Sequence, residues 1–144
     1  MAEEPKELMN LARIGKLIAE PGTSDEFKGL LTSGDENLAD ARNENLALSS
    51  RFYLAYNAAH AFSLAALRWH GYRSDSRYLV FQVLPHTLGV SAPTWRVLVK
   101  AHEVRNLAAY HGHFNADMTL LRNLIEAAEA VRVAVVALPI LPAK

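Results

Sequence analysis

The chain of 144 residues contains no cysteine. That excludes a disulfide framework and a thiolate metal site. It carries no excess charge of either sign, because fifteen Lys and Arg balance fifteen Asp and Glu. Proteins that grip long stretches of nucleic acid usually show a basic surplus. A small RNA-cutting site needs only a few local cations and stays open. No segment approaches the ~20 consecutive apolar residues of a membrane-spanning helix. The first residues, Met-Ala-Glu-Glu-Pro-Lys, are acidic and hold no apolar run, which argues against a signal peptide. A soluble cytoplasmic protein with no membrane partner is therefore expected. There is no Gly-rich phosphate loop, and Ser49, Ser50 and Ser63 lie in no serine-hydrolase elbow. His111 and His113 invite a metal reading. Only Glu103 and Asp117 are near them in sequence, which is not the spacing of a zinc site. No metal and no cofactor are expected.

What is present is an ordinary globular composition, 51% hydrophobic and 21% charged. The length suits one domain with a real core. The apolar spacing is helical throughout and predicts an all-α, up-and-down bundle of about four main helices plus short N-terminal ones. The expected division is an N-terminal helical extension over residues 1–34, a core bundle over 35–138 and a tail over 139–144. A first helix is expected from Pro5 to Glu20, weakened by Gly15. Thr23-Ser-Asp-Glu26 has the capping-box pattern and opens a short helix to about Leu31. Ser33-Gly-Asp-Glu36 repeats that pattern, and the longest helix is expected from about Asp35 to His70, with a break allowed near Leu46 to Ser49. Arg77 to Leu88 reads as helix rather than strand, because no partner strand is visible. Pro85 should shorten or kink it. Asn115 or Asp117 caps a last helix that reaches about Leu138.

Between these lies Pro93 to His113, the most chemically loaded stretch. Pro93 suits the first turn of a helix and Gly112 suits its exit. Within it Arg105, Asn106 and His111 place a fixed cation, an amide and an imidazole inside two turns. Arg105 has alanine at both positions four residues away, so no helical ion pair occupies it. Asn106 is a poor helix-interior residue and needs a reason to be there. His111 beside Gly112 also suits a helix C-terminus, whose dipole favours a cation. Six steps of about 100° put Arg105 and His111 about 120° apart around the axis and about 9 Å apart along it. They do not converge on one atom within one chain. Two chains meeting across a two-fold axis would bring two such sets to one cleft.

The pattern Arg105-Asn106…His111 near the end of a late helix resembles the motif of the HEPN family (higher eukaryotes and prokaryotes nucleotide-binding). That motif is an Arg, a polar residue that is often Asn, and a His after four to six intervening residues; Arg105 and His111 have five between them. The Ala- and Tyr-rich stretch from Arg51 to Ala61 also looks like the family's core helix, and the resemblance covers about Leu38 to Ala137. It implies a homodimer with facing motif helices and a metal-independent endoribonuclease. Arg105, Asn106 and His111 would be its catalytic residues, and RNA or a nucleotide its ligand. It further implies a place in toxin–antitoxin or phage-defence systems, with an antitoxin or a nucleotidyltransferase as partner. The alternative is a non-catalytic module that binds nucleotides or a partner protein. His102, His113, Tyr110 and Asn57 are secondary binding candidates. Some relatives carry a Tyr two residues after the motif His as a modification target. Here that position is His113, which puts that mode of regulation in doubt. Tyr53, Tyr56, Asn57 and His60 could line a groove against the motif helix, although such residues more often are core aromatics with a satisfied polar tip.

Overall fold

The computed structural model of the chain describes residues 5–112 and 114–141. Among these residues there are seven helices and one two-residue β-ribbon. Their order is α1 (Lys6–Arg13), β1 (Ile18–Ala19), α2 (Ser24–Ala41), α3 (Leu48–Trp69), β2 (Tyr72–Arg73), α4 (Arg77–Gln82), α5 (Leu84–Thr87), α6 (Ala92–His111) and α7 (Met118–Val136). The all-helical expectation holds in this architecture. None of the described helices is long and apolar enough to cross a membrane.

Helix α3 is the axis of the bundle. Phe52, Ala55, Tyr56, Ala59 and Phe62 are buried on it, and α2, α4, α6 and α7 pack around it. Its alanines let those neighbours approach closely. A smaller apolar cluster joins Leu8 and Leu17 of the N-terminal segment to Leu67, Tyr72, Val80 and Val83.

Three sequence expectations are corrected. The helix expected from Pro5 to Glu20 ends at Arg13, before Gly15. Leu17 then turns into the core, and Ile18–Ala19 pairs antiparallel with Tyr72–Arg73. A two-residue strand has no periodicity to read. The helix expected from about Asp35 to His70 is two helices, interrupted over residues 42–47. Short polar side chains there bond the backbone locally, and the Asn43 side-chain carbonyl accepts from the N–H of Asn45 at 3.0 Å. The Arg51 guanidinium closes the corner by donating to the carbonyl of Ala41 at 2.8 Å. Ser33-Gly34 starts nothing; it lies inside α2, so the expected boundary between extension and core falls mid-helix.

Gly34 is there for packing. A Cβ at that position would come within 2.4 Å of the Phe62 ring, which is fully buried. Gly34→Ala should therefore destabilise the fold by about 1–3 kcal/mol through overpacking, despite a gain in helix propensity of up to ~1 kcal/mol. Urea unfolding measures it, and a stability gain would refute this account of the α2–α3 contact.

The other two capping expectations hold. Thr23 accepts from the N–H of Glu26 at 3.2 Å, and Asp117 accepts from Leu120 at 2.8 Å. Pro85 divides α4 from α5 and sits in the first turn of α5. Helices α2 and α7 are tied by Arg42 to Glu129 at 3.0 Å and by Arg132 to Asp35. The apolar tail docks on its own domain in part: Leu138 packs on the core and Trp69 Nε1 donates to the Pro139 carbonyl at 2.8 Å, while Ile140 is exposed.

Candidate functional site

Helix α6 is set by its ends. The Ser91 hydroxyl caps its start, and Gly112 ends it in the left-handed conformation at φ 72°, its N–H donating to the Ala108 carbonyl at 3.1 Å. Leu98, Ala101 and Val104 bury one face. Turning away from that face, the helix presents two polar surfaces that share Asn106.

The first surface faces α3 and α4. Tyr56 of α3 is 1% exposed, and its hydroxyl lies 2.9 Å from His102 Nδ1. His102 Nε2 lies 3.0 Å from the Asn106 side-chain nitrogen. With that amide donating, the neutral imidazole carries its proton on Nδ1 and donates to the Tyr56 oxygen. Two guanidinium groups lie over the Tyr56 ring, Arg77 of α4 at 5.6 Å from its centre and Arg105 of α6 at 5.7 Å. Arg77 also donates to the Asn57 side-chain carbonyl oxygen at 3.3 Å. His60 meets the edge of Phe81, with ring centres 5.9 Å apart.

Burial and the two arginines set the protonation here. His60 is held at a pKa of about 4, first by burial and then by the positive charge of Arg77, His102 and Arg105. The pKa of His102 is lowered by burial and then by Arg105 and Arg77, against a small opposing pull from Glu103. Tyr56 moves upward, because burial outweighs the two arginines. The stability consequence has a definite sign. The folded-state pKa of His60 lies below the value of about 6.5 for a free imidazole, so the unfolded chain protonates first on acidification. The contribution is complete above about pH 6.5 and is lost as pH falls toward about 4. Wild type should lose about 1–3 kcal/mol over that range, after allowance for partial exposure, and His60→Gln should lose less. Urea unfolding at pH 7.5, 5.5 and 4.5 measures both, and parallel losses would refute the assignment.

The second surface is an outward groove of about 380 Å³ lined by Glu103, Asn106, Leu107, Tyr110 and His111. His111 is the last residue of α6 and is exposed, and Tyr110 is 79% exposed. Arg105 does not line this groove. The structure thus brings Arg105, Asn106, His102, Asn57 and Tyr56 together, and separately brings Asn106, Tyr110 and His111 together. It does not bring Arg105 to His111, as the six-residue spacing requires. His113 lies outside the described residues. No group of three or more His, Asp or Glu side chains among the described residues could hold a metal ion.

Arg77 is the residue that the sequence reading missed. The test applied to Arg105 would have found it: four residues either side of Arg77 stand Arg73 and Phe81, neither a carboxylate. No protein-family model, no curated protein and no solved structure matches the chain.

Proposed function

We propose that this protein is a HEPN-type, metal-independent endoribonuclease that acts as a homodimer. One observation carries the reading. Arg105 is half-buried, and among the described residues its guanidinium makes no hydrogen bond and no ion pair; it rests only on the Tyr56 ring. A half-buried cation with unused donors is matched to an anion, and its forked geometry fits a phosphate. Its neighbour Asn106 is held by His102 and reaches the groove of His111.

In this reading the RNA 2′-oxygen attacks the adjacent phosphorus as a base takes the hydroxyl proton. The bond to the 5′-oxygen breaks and that oxygen receives a proton from an acid. The products are a 2′,3′-cyclic phosphate and a 5′-hydroxyl. Imidazole, with an ordinary pKa of about 6.5, serves either role near neutral pH. One chain supplies a single His111, and two copies supply both base and acid. Exposed Leu107 and Tyr110 give the second copy an apolar surface beside His111. Arg105 binds the scissile phosphate and stabilises its growing charge, and Asn106 orients the phosphate or His111. An antitoxin-like partner would suit such an activity.

The test is incubation of mixed cellular RNA and of DNA with the protein in the presence of a chelator of divalent metals. RNA should be cut and DNA, which lacks the 2′-hydroxyl, should not. Absence of cutting by folded, dimeric protein across pH and salt would move the assignment to the second reading.

That second reading is a non-catalytic nucleotide- or protein-binding module. The divergence of Arg105 and His111 within one chain favours it. Salt separates the two: binding to an RNA backbone weakens steeply as salt rises, whereas docking through Leu107 and Tyr110 does not.

A further inference from the structure

We infer that Arg77 and Arg105 together form a phosphate-binding cleft, built where α4 and α6 meet over Tyr56 of α3, and that Arg77 is a substrate-binding residue outside the motif. The inference deepens the ribonuclease reading and rests on it for the source of the phosphate, a nucleic-acid strand.

Each guanidinium lies less than 6 Å from the centre of one aromatic ring, so the two cations are within about 11 Å of each other. Two like charges at that range repel, and neither forms an ion pair among the described residues. No described carboxylate forms an ion pair with either arginine. Nearby acids are committed elsewhere: Asp75 and Glu20 pair with Arg73, and Glu103 lines the outer groove. Uncompensated cations on a half-buried surface are costly unless an anion joins them. The field is felt by the neighbours, since both arginines add to burial in depressing His60 and His102.

The platform is rigid. Tyr56 is fully packed, its hydroxyl is held by His102, and His102 is held by Asn106. Arg77 is steadied by Asn57, which is exposed. Both arginines are half-buried, so each keeps a solvent-facing edge beside a fully packed ring. Two guanidinium forks around one ring offer more donors than a single carboxylate can use, and suit the several oxygens of a phosphate or of neighbouring phosphates on a strand. Asn106 belongs to this cleft and to the His111 groove, so a strand held at Arg77 and Arg105 is led toward His111.

The experiment titrates inorganic phosphate, then a short RNA, into the full-length protein. Calorimetry and the imidazole NMR signals of His60 and His102 report binding. Wild type should bind phosphate, and the pKa of His60 should rise as it does. Arg77→Gln and Arg105→Gln should each weaken binding about ten- to a hundredfold. Arg77→Lys, which keeps the charge and the fold but loses the fork, should fall between. Arg96→Gln, on the exposed side of the same helix as Arg105, should bind like wild type. In RNA cleavage Arg77→Gln should raise KM more than it lowers kcat. Unchanged phosphate binding in Arg77→Gln, no binding by wild type, or an equal loss in Arg96→Gln would overturn the cleft. Phosphate binding that depends on Arg77, together with absent RNA cleavage, would leave the cleft standing and remove the ribonuclease reading. Cleavage by Arg77→Gln at wild-type KM would do the reverse.

Discussion

His111→Ala is expected to slow RNA cleavage by about 10²–10⁴-fold, the usual loss for a missing general acid or base. Arg105→Ala should cost about 10²–10³-fold, the loss for a missing donor to developing charge. The two variants should fail differently. His111 is exposed and makes no described hydrogen bond, so its loss falls on kcat with KM little changed. Arg105 lies in the proposed phosphate cleft, so its loss should also raise KM. Neither side chain lies in the core, and both variants should melt within a few degrees of wild type. A variant that unfolds, or a His111→Ala protein that cuts RNA at the wild-type rate, would sink the assignment of roles. Asn106→Ala should fall between them, because Asn106 touches His102 in one surface and lines the other.

Arg68→Leu should destabilise the fold by about 1–3 kcal/mol, the cost of leaving backbone carbonyls without a donor, because the carboxylates of Glu20 and Glu26 keep access to solvent. Arg68 is 5% exposed. Its guanidinium donates to Glu26 at 2.8 Å and pairs with Glu20 at 3.2 Å. It also donates to the carbonyls of Glu20, Tyr72 and Pro21 at 2.9, 3.1 and 3.2 Å. Five acceptors from three segments thus converge on one side chain. They tie the end of α3 to the start of α2 and to the β-ribbon. Leucine would fill part of the space and leave the carbonyls without a donor. Denaturant unfolding reads the loss directly. A cost below about 1 kcal/mol would mean that solvent replaces the network. RNA cleavage by the folded fraction should survive, because none of Arg68's bonding partners belongs to α6.

Some of this is legible in the sequence because the signals are local. A Pro in the first turn and a Gly at the exit bound α6, and side-chain caps mark the starts of α2 and α7. Alanine four residues either side of Arg105 marks an unpaired cation from spacing alone. Where the reading failed, the deciding contact was distant. Gly34 reads as a helix start, yet it is a mid-helix gap for the ring of Phe62. Arg68 carries no local signal of its network, because its partners come from residues 20–26 and 72. Arg77 looks like the first residue of a short helix, and its tie to Tyr56 exists only once α4 folds back on α3. Tyr56 itself behaves as its type suggests: a core ring with its hydroxyl satisfied. His102, expected as a secondary binding residue, is the link between that hydroxyl and Asn106.

The chemistry of the cut ends tests the central claim most directly. RNA of defined sequence would be digested by wild type in the presence of a metal chelator, and the product masses measured. A 2′,3′-cyclic phosphate on one fragment and a 5′-hydroxyl on the other, both absent with Arg105→Ala and His111→Ala, is the predicted result. Fragments with 3′-hydroxyl and 5′-phosphate ends, or cutting that survives both substitutions, would contradict it.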